Sequence, residues 1–267
     1  MLKDITLGQY YPVESPIHKL DPRTKLSATM IYIISLFICG NIFGYALAFL
    51  FLVMIIKISR VPFSYIGRGL KPIIMLLMIS VCFNLFLTSG EPVYWEFGIL
   101  HITGTGLRQA FFMALRLIFL IMGSSLMTFT TTPTALTDGM EKGLHFLRVF
   151  HVPVHEIAMM MSIALRFIPI LTEETDKIQK AQMARGADFE NGNIIARAKA
   201  LVPLLVPLFI SAFRRATDLA MAMEARCYHG GEGRTKMFPL KYKKRDHIAY
   251  LILLLYVVCM ILLRIFL

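Results

Sequence analysis

The chain has 267 residues, 57% of them hydrophobic and only 17% charged, and its mean hydropathy is +0.65. That balance excludes an ordinary soluble domain, in which about a quarter of the residues carry charge. The formal net charge of +11 flanks apolar runs instead of forming one basic face, so it reads as a topology signal and not as nucleic-acid binding.

The elements follow in chain order. Residues 1–25 hold no apolar signal-peptide core, and Lys19, Arg23 and Lys25 stand just before the first apolar run. The N-terminus is therefore expected to be unprocessed and cytoplasmic. Residues 26–58 are nearly uncharged and interrupted by Cys39-Gly40-Asn41. One helix of that length would reach ~50 Å, beyond a bilayer core. Basic residues on both flanks (Lys19, Arg23, Lys25, then Lys57, Arg60, Arg68, Lys71) put both ends on one side, so a hairpin of two spans, about 24–39 and 42–58, is expected, turning at Gly40-Asn41. Pro72 opens a third span, about 72–89, as proline is tolerated in a first helical turn. The stretch 90–107 carries Glu91 and Glu96 without Lys or Arg and reads as an outside loop, with Tyr94 and Trp95 as interfacial aromatics. A fourth span follows at about 108–131.

Residues 132–246 change character. They hold 17 of the 28 Lys and Arg residues, mixed with 12 acidic ones. Two stretches, Ile157–Ile170 and Ala200–Phe213, are nearly membrane-like but short, and Pro169, Pro203 and Pro207 interrupt them. They read as long amphipathic helices at or just under the membrane plane, bent at the prolines; the alternative is two further spans. A last span, about 247–267, follows the basic run Lys241, Lys243, Lys244, Arg245. The fold class is thus all-α: a polytopic membrane protein with about five transmembrane helices. Its parts are a membrane domain at 1–131, a cytoplasmic or interfacial domain of long helices at 132–246, and a C-terminal span.

Within the middle domain the pattern predicts one helix from about Val154 to Arg185 and another from about Ile194 to Arg226, joined by a short loop. Each ends on an Ala-Arg step: Ala184-Arg185-Gly186 and Ala225-Arg226-Cys227, 41 residues apart. At 1.5 Å per residue such helices are ~45–50 Å long. A short loop makes them run back on or across each other, which sets the two arginines tens of ångströms apart. Arginine offers a rigid fork of donors, suits the negative end of a helix macrodipole, and after alanine leaves a partner's backbone room to approach. Gly186 is expected to take the left-handed cap. The plain alternative is a pair of solvated helix-end arginines.

Other constellations are weak. His151 and His155 with Glu156 are interrupted by Pro153, and position 159 is Met where a zincin needs His, so no metal site is expected. Paired Glu173-Glu174 with Arg166 lacks the histidines of an intramembrane protease. Arg116 lies two turns into the fourth span, where snorkelling to the interface accounts for it. Cys39, Cys82 and Cys259 sit singly in apolar runs and read as packing residues. No phosphate-binding loop occurs. The region of Leu144, Phe146, Leu147, Val149, Phe150 and Met159-Met160-Met161 is apolar in an otherwise charged segment, and methionine suits a surface that repacks against partners.

Ser15-Pro16-Ile17-His18-Lys19-Leu20-Asp21-Pro22-Arg23-Thr24-Lys25-Leu26, followed by four spans, a basic helical domain with the paired Ala-Arg elements and a last span, resembles the transmembrane T component of energy-coupling-factor vitamin transporters over nearly the whole chain. The signature is carried by Asp21, Pro22, Arg23 and Lys25. The departure is Cys227, where that family usually has glycine, which puts the backbone of the second tip in question. The resemblance implies a multi-pass bacterial cell-membrane scaffold with no catalytic residues or cofactor of its own. It implies two ATP-binding-cassette ATPases engaged by Ala184, Arg185, Gly186 and by Ala225, Arg226, Cys227. A separate substrate-binding membrane subunit is expected at an apolar region assigned to Leu144, Leu147, Phe150, Met159 and Met160. The competing classes are a membrane-embedded hydrolase, which needs convergent polar residues inside spans, and a self-contained secondary carrier, which needs internal span repeats. The carried vitamin or micronutrient is read by another subunit, so this chain leaves it open.

Overall fold

A computed structural model describes residues 10–88, 90, 93–97, 100–187, 189, 193–231, 237 and 239–266. Nine α-helices appear among them: α1 (Pro22–Ile38), α2 (Ile42–Ser59), α3 (Phe63–Leu70), α4 (Ile74–Leu87), α5 (Gly104–Thr130), α6 (Pro133–Gly143), α7 (Val154–Ala184), α8 (Ile194–Glu224) and α9 (Lys244–Phe266). Lys71–Ile73 and His145–Phe150 are short 3-10 segments. Two compact units divide the chain: Gly8–Met140 with Leu240–Leu267 form one, and Glu141–Pro239 most of the other.

The first unit is a bundle built on α1, α2, α5 and α9, with Tyr32, Leu36, Tyr45, Leu52, Ile56, Phe119, Leu126, Leu253 and Tyr256 at its centre. Contacts between helices fix their directions. Ser27 on α1 meets Tyr250 on α9 at 3.0 Å, and Ser35 meets Tyr256 at 2.8 Å, so α1 and α9 run parallel. The α4 end meets the α5 start, where Thr103 Oγ1 donates to the Thr88 carbonyl at 2.9 Å and caps α5 by accepting from Gly106 N–H at 3.0 Å. The ends at residues 22, 59, 130 and 244 therefore lie at one face of the bundle, as the charge flanks predict.

Apolar side chains outside this core stay exposed: Met30, Ile34 and Phe37 on α1, Met75, Leu76 and Met78 on α4, and Leu251, Leu254 and Leu255 on α9. A surface of this chemistry is stable against lipid and not against water. Five helices are long and apolar enough to cross a membrane, namely Ile42–Ser59, Gly104–Thr130, Val154–Ala184, Lys199–Glu224 and Lys244–Phe266. They are not the same five as the expected spans. α1 has 17 residues and α4 has 14, ~26 and ~21 Å of helix, whereas α7 and α8 meet the length and apolarity required. The third span is also shorter than expected, because Lys71–Ile73 breaks the run between α3 and α4. Among the described residues of the stretch expected as an outside loop is a strand pair: β1 (Val93–Phe97) and β2 (Leu100–Thr103), antiparallel, pairing Val93 with Thr103 and Phe97 with Leu100 across an irregularity between Val93 and Trp95.

Candidate functional site: two capped helix tips

α7 and α8 each have 31 residues, matching the two helices expected from the hydrophobic pattern. Both continue through their prolines, Pro169 in α7 and Pro203 and Pro207 in α8. A proline has no N–H for the carbonyl four residues back, so Pro207 leaves the Pro203 carbonyl without its helical donor. Gln182 of α7 supplies one, Nε2 donating to Pro203 O at 3.3 Å. Further along, Glu174 of α7 accepts from Ser211 Oγ and, at 2.8 Å, from Arg215 Nη2 of α8. Residue 182 thus meets 203 and 174 meets 211. Between the same helices a cleft is lined by Ile163, Phe167 and Leu171 from α7 and by Leu219 and Met223 from α8. Position falls on α7 as it rises on α8, so the helices are antiparallel partners.

This order places the Ala-Arg steps at opposite ends of the pair. The α7 tip at residue 185 is level with about residue 200 of α8, 26 residues before Arg226, which corresponds to a separation on the order of 40 Å. All six residues from Ala184 to Gly186 and from Ala225 to Cys227 are exposed.

The two tips share one backbone geometry. In the first, Arg185, Gly186 and Ala187 N–H groups donate to the carbonyls of Gln182, Met183 and Gln182 at 3.0 Å each. In the second, Arg226, Cys227 and Tyr228 donate to Met223, Glu224 and Met223 at 3.1, 2.8 and 3.1 Å. Every donor and acceptor is displaced by 41 residues. This is the Schellman closure, in which the residue after the cap turns left-handed. Gly186 has φ +87 and Cys227 φ +56, so cysteine adopts the conformation that its Cβ disfavours, and the substitution leaves the second tip's backbone in the same form as the first. Each arginine is the C-cap residue, beside carbonyls that carry the negative end of the helix dipole.

The apolar region expected to meet a substrate-binding subunit divides. Phe150, Met160, Phe146, Val149 and Met161 are exposed, while Leu144 and Met159 are half-buried; the side chain of Leu147 lies outside the described ones. His155 Nδ1 pairs with Glu141 Oε1 at 2.9 Å, and a Cβ added at Gly231 would overlap its ring. No group of three metal-ligating side chains occurs among the described residues.

The signature residues have a mechanical place. Asp21 caps α1 by accepting from Arg23 N–H at 2.9 Å, and its two oxygens hold the Arg23 guanidinium at 3.0 and 2.9 Å. Pro22 fills the first helical position, where no N–H is needed. Arg23 stacks on Tyr242 at 4.0 Å. Lys25 Nζ donates to the carbonyls of His18 at 3.1 Å and Thr130 at 2.7 Å. Asp246, 2% exposed, accepts from Asp21 N–H and from Lys243 N–H, both at 2.8 Å. These residues tie the N-terminal segment to the α5 end and the α9 start. Sequence reasoning did not find Asp246, because its partner lies 225 positions away. Nor did it pair Glu174 with Arg215; the four-residue spacing of Pro203 and Pro207 signals only that the Pro203 carbonyl lacks its helical donor.

A family model described as cobalt transport protein, CbiQ, matches residues 13–237. The chain is 56% identical over 266 residues to the energy-coupling factor transporter transmembrane protein EcfT of Clostridium kluyveri, covering 99% of this chain and 98% of that protein. The protein of the same name from Thermosediminibacter oceani is 54% identical over 250 residues, 94% of each chain. That from Bacillus subtilis is 48% identical over 246 residues, 92% of this chain and 93% of the relative. These relatives are named as transporter components and not as enzymes.

Proposed function

The chain belongs to the CbiQ family of transporter transmembrane proteins, and from that premise we propose that it is the scaffold through which two ATPases drive an importer of the energy-coupling-factor type. Ala184-Arg185-Gly186 enters a groove on one ATPase and Ala225-Arg226-Cys227 a groove on the other. Closure of the ATPases on ATP moves the tips, and the antiparallel pair passes that motion to a separate substrate-binding membrane subunit seated on the apolar surface around Leu144, Leu147, Phe150, Met159 and Met160. The cargo is a vitamin or micronutrient taken up across the cell membrane, with the N-terminus of this chain in the cytoplasm. In this reading residues 1–131 and 247–267 anchor the chain in the bilayer, and 132–246 couple.

The observation that supports the reading is the repeated cap: two exposed arginines on matching backbone turns, on the order of 40 Å apart, suit two equivalent grooves better than one. Reconstituted with its ATPase and substrate subunits in proteoliposomes, the Arg185→Glu, Arg226→Glu double variant should insert normally and lose ATP-driven uptake. Either reversal alone should weaken ATPase association by ~2–5 kcal/mol if the arginine is buried in the complex. Undiminished uptake in the double variant would sink the proposal.

A further inference from the structure

A second site lies within the bundle itself. Between α1, α2, α5 and α9 opens a cavity of about 400 Å³ walled by Ala28, Tyr32, Phe51, Ile55, Gly123 and Leu253. Its wall is almost wholly apolar, and at its outer edge stand Met54, Ile58, Ile248 and Ile252, all four well exposed. The cavity therefore reaches the surface of the bundle that faces lipid. From Lys25 to Tyr32 on α1 and from Arg245 to Leu253 on α9 it runs ~10–12 Å, most of the ~15 Å depth of one leaflet.

Two further observations point to an amphipathic occupant. Thr24 Oγ1 and Tyr32 Oη have no hydrogen-bond partner among the described residues, and both side chains line the cavity. Thr24 is 1% and Tyr32 4% exposed. A pure hydrocarbon would leave these hydroxyls unsatisfied, whereas a ligand with ester oxygens offers acceptors. At the end of the cavity where α1 and α9 begin, a polar recess of about 400 Å³ adjoins it, lined by Glu14, Ser15, Lys19, Arg60 and Arg245 and sharing Pro16 and Arg245 with the first. Glu14 is neutralised by Lys19 at 2.6 Å. Arg60 and Arg245 form no ion pair among the described residues, so the mouth carries two uncompensated guanidinium groups.

We infer that this cavity is a binding site for an anionic phospholipid, one acyl chain lying in the cleft between α2 and α9 and the phosphate held between Arg60 and Arg245. Guanidinium forks match phosphate oxygens, and the apolar depth fits a chain and excludes a free anion. The site belongs to the leaflet in which α1 and α9 begin.

The full-length chain is taken into nanodiscs of equal parts dioleoylphosphatidylglycerol and dioleoylphosphatidylcholine, released, and weighed by native mass spectrometry. One phosphatidylglycerol per chain should be retained, roughly ten- to thirty-fold over phosphatidylcholine. Arg60→Gln with Arg245→Gln should erase the preference while leaving some lipid bound, and Ala249→Phe, which fills the cleft, should lower retention of both lipids. Circular dichroism checks that each variant is folded. Because the arginine pair is exposed, it reports even if Ala249→Phe does not fold. Equal retention of the two lipids by the unaltered chain, or a preference that survives the arginine pair, overturns the proposal. Displacement by excess inorganic phosphate does so as well, since it would mean a free-anion site.

Discussion

At the scale of single residues, the two caps separate conformational strain from packing. No atom of the described residues lies within 4 Å of a Cβ built on Gly186, so Gly186→Ala meets no steric neighbour among them and its cost is torsional, ~1–2 kcal/mol at this positive φ. Cys227→Gly runs the other way, relieving a left-handed cysteine and firming the second tip by up to ~1 kcal/mol. Hydrogen exchange at the Ala187 and Tyr228 amides reads both: faster at Ala187 in the alanine variant, slower at Tyr228 in the glycine one. No change at either amide would mean that the closures do not hold in solution. His18 shows a different residue-scale effect. Its Nδ1 meets Ser15 Oγ at 2.7 Å and its Nε2 the Tyr11 carbonyl at 3.1 Å, an arrangement for the neutral ring with its proton on Nε2. Burial, and then the nearby Lys25 charge, push its pKa below the ordinary value near 6.5. The unfolded chain therefore takes up a proton that the native one refuses. Stability is complete above about pH 6.5 and declines as pH falls below it. Thermal unfolding followed from pH 7.5 to 5.5 should show this decline, and His18→Gln should flatten it.

At the scale of elements, α7 and α8 behave as a jointed pair. Both carry proline inside a continuous helix, and the hydrogen bond that the Pro203 carbonyl of α8 loses is replaced from α7 by Gln182, which also accepts the first tip's closure through its own carbonyl. The Glu174–Arg215 pair is 24% and 40% exposed at its side chains, so its direct contribution to stability is small, at most ~1 kcal/mol. Its effect is on angle. With spin labels on Ala187→Cys and Tyr228→Cys in a background free of native cysteines, Arg215→Ala should broaden the tip-to-tip distance distribution while changing the melting temperature little. An unaltered distribution would show that apolar packing alone sets the crossing.

At the scale of the whole molecule, chain closure stands out. Asp246 at the α9 start receives the Asp21 backbone across 225 positions and caps its own helix through Lys243. The last helix is thereby latched to the first where both begin, and Ser27–Tyr250 and Ser35–Tyr256 continue the seam. Asp246→Ala leaves one buried donor, Asp21 N–H, and one part-buried donor, Lys243 N–H, without their acceptor and should cost ~1–3 kcal/mol, read as faster proteolysis in the segment before α9. Asp246→Asn, which keeps one acceptor oxygen, should cost less. Equal resistance of the alanine variant and the parent chain would remove the latch from the account. The same bundle leaves its outer faces apolar, which is what makes it a membrane protein, and leaves one cleft among them that ends in arginines.

The all-α membrane class, the two long helices, their Ala-Arg ends and the opening signature are legible in the residues alone. Each of these is local or periodic: hydrophobic run length, charge at the flanks, proline at a first turn, glycine after a helix. What depends on pairs distant along the chain required the folded arrangement. Folding brought Asp246 to Asp21 and Arg215 to Glu174, gave Cys227 the left-handed turn despite its Cβ, and confined the third span to Ile74–Leu87 after the break at Lys71–Ile73. Composition read the stretches in α7 and α8 as too short to span, because prolines divide them in the sequence. In three dimensions a proline removes one hydrogen bond, a neighbouring helix can restore it, and the helix goes on.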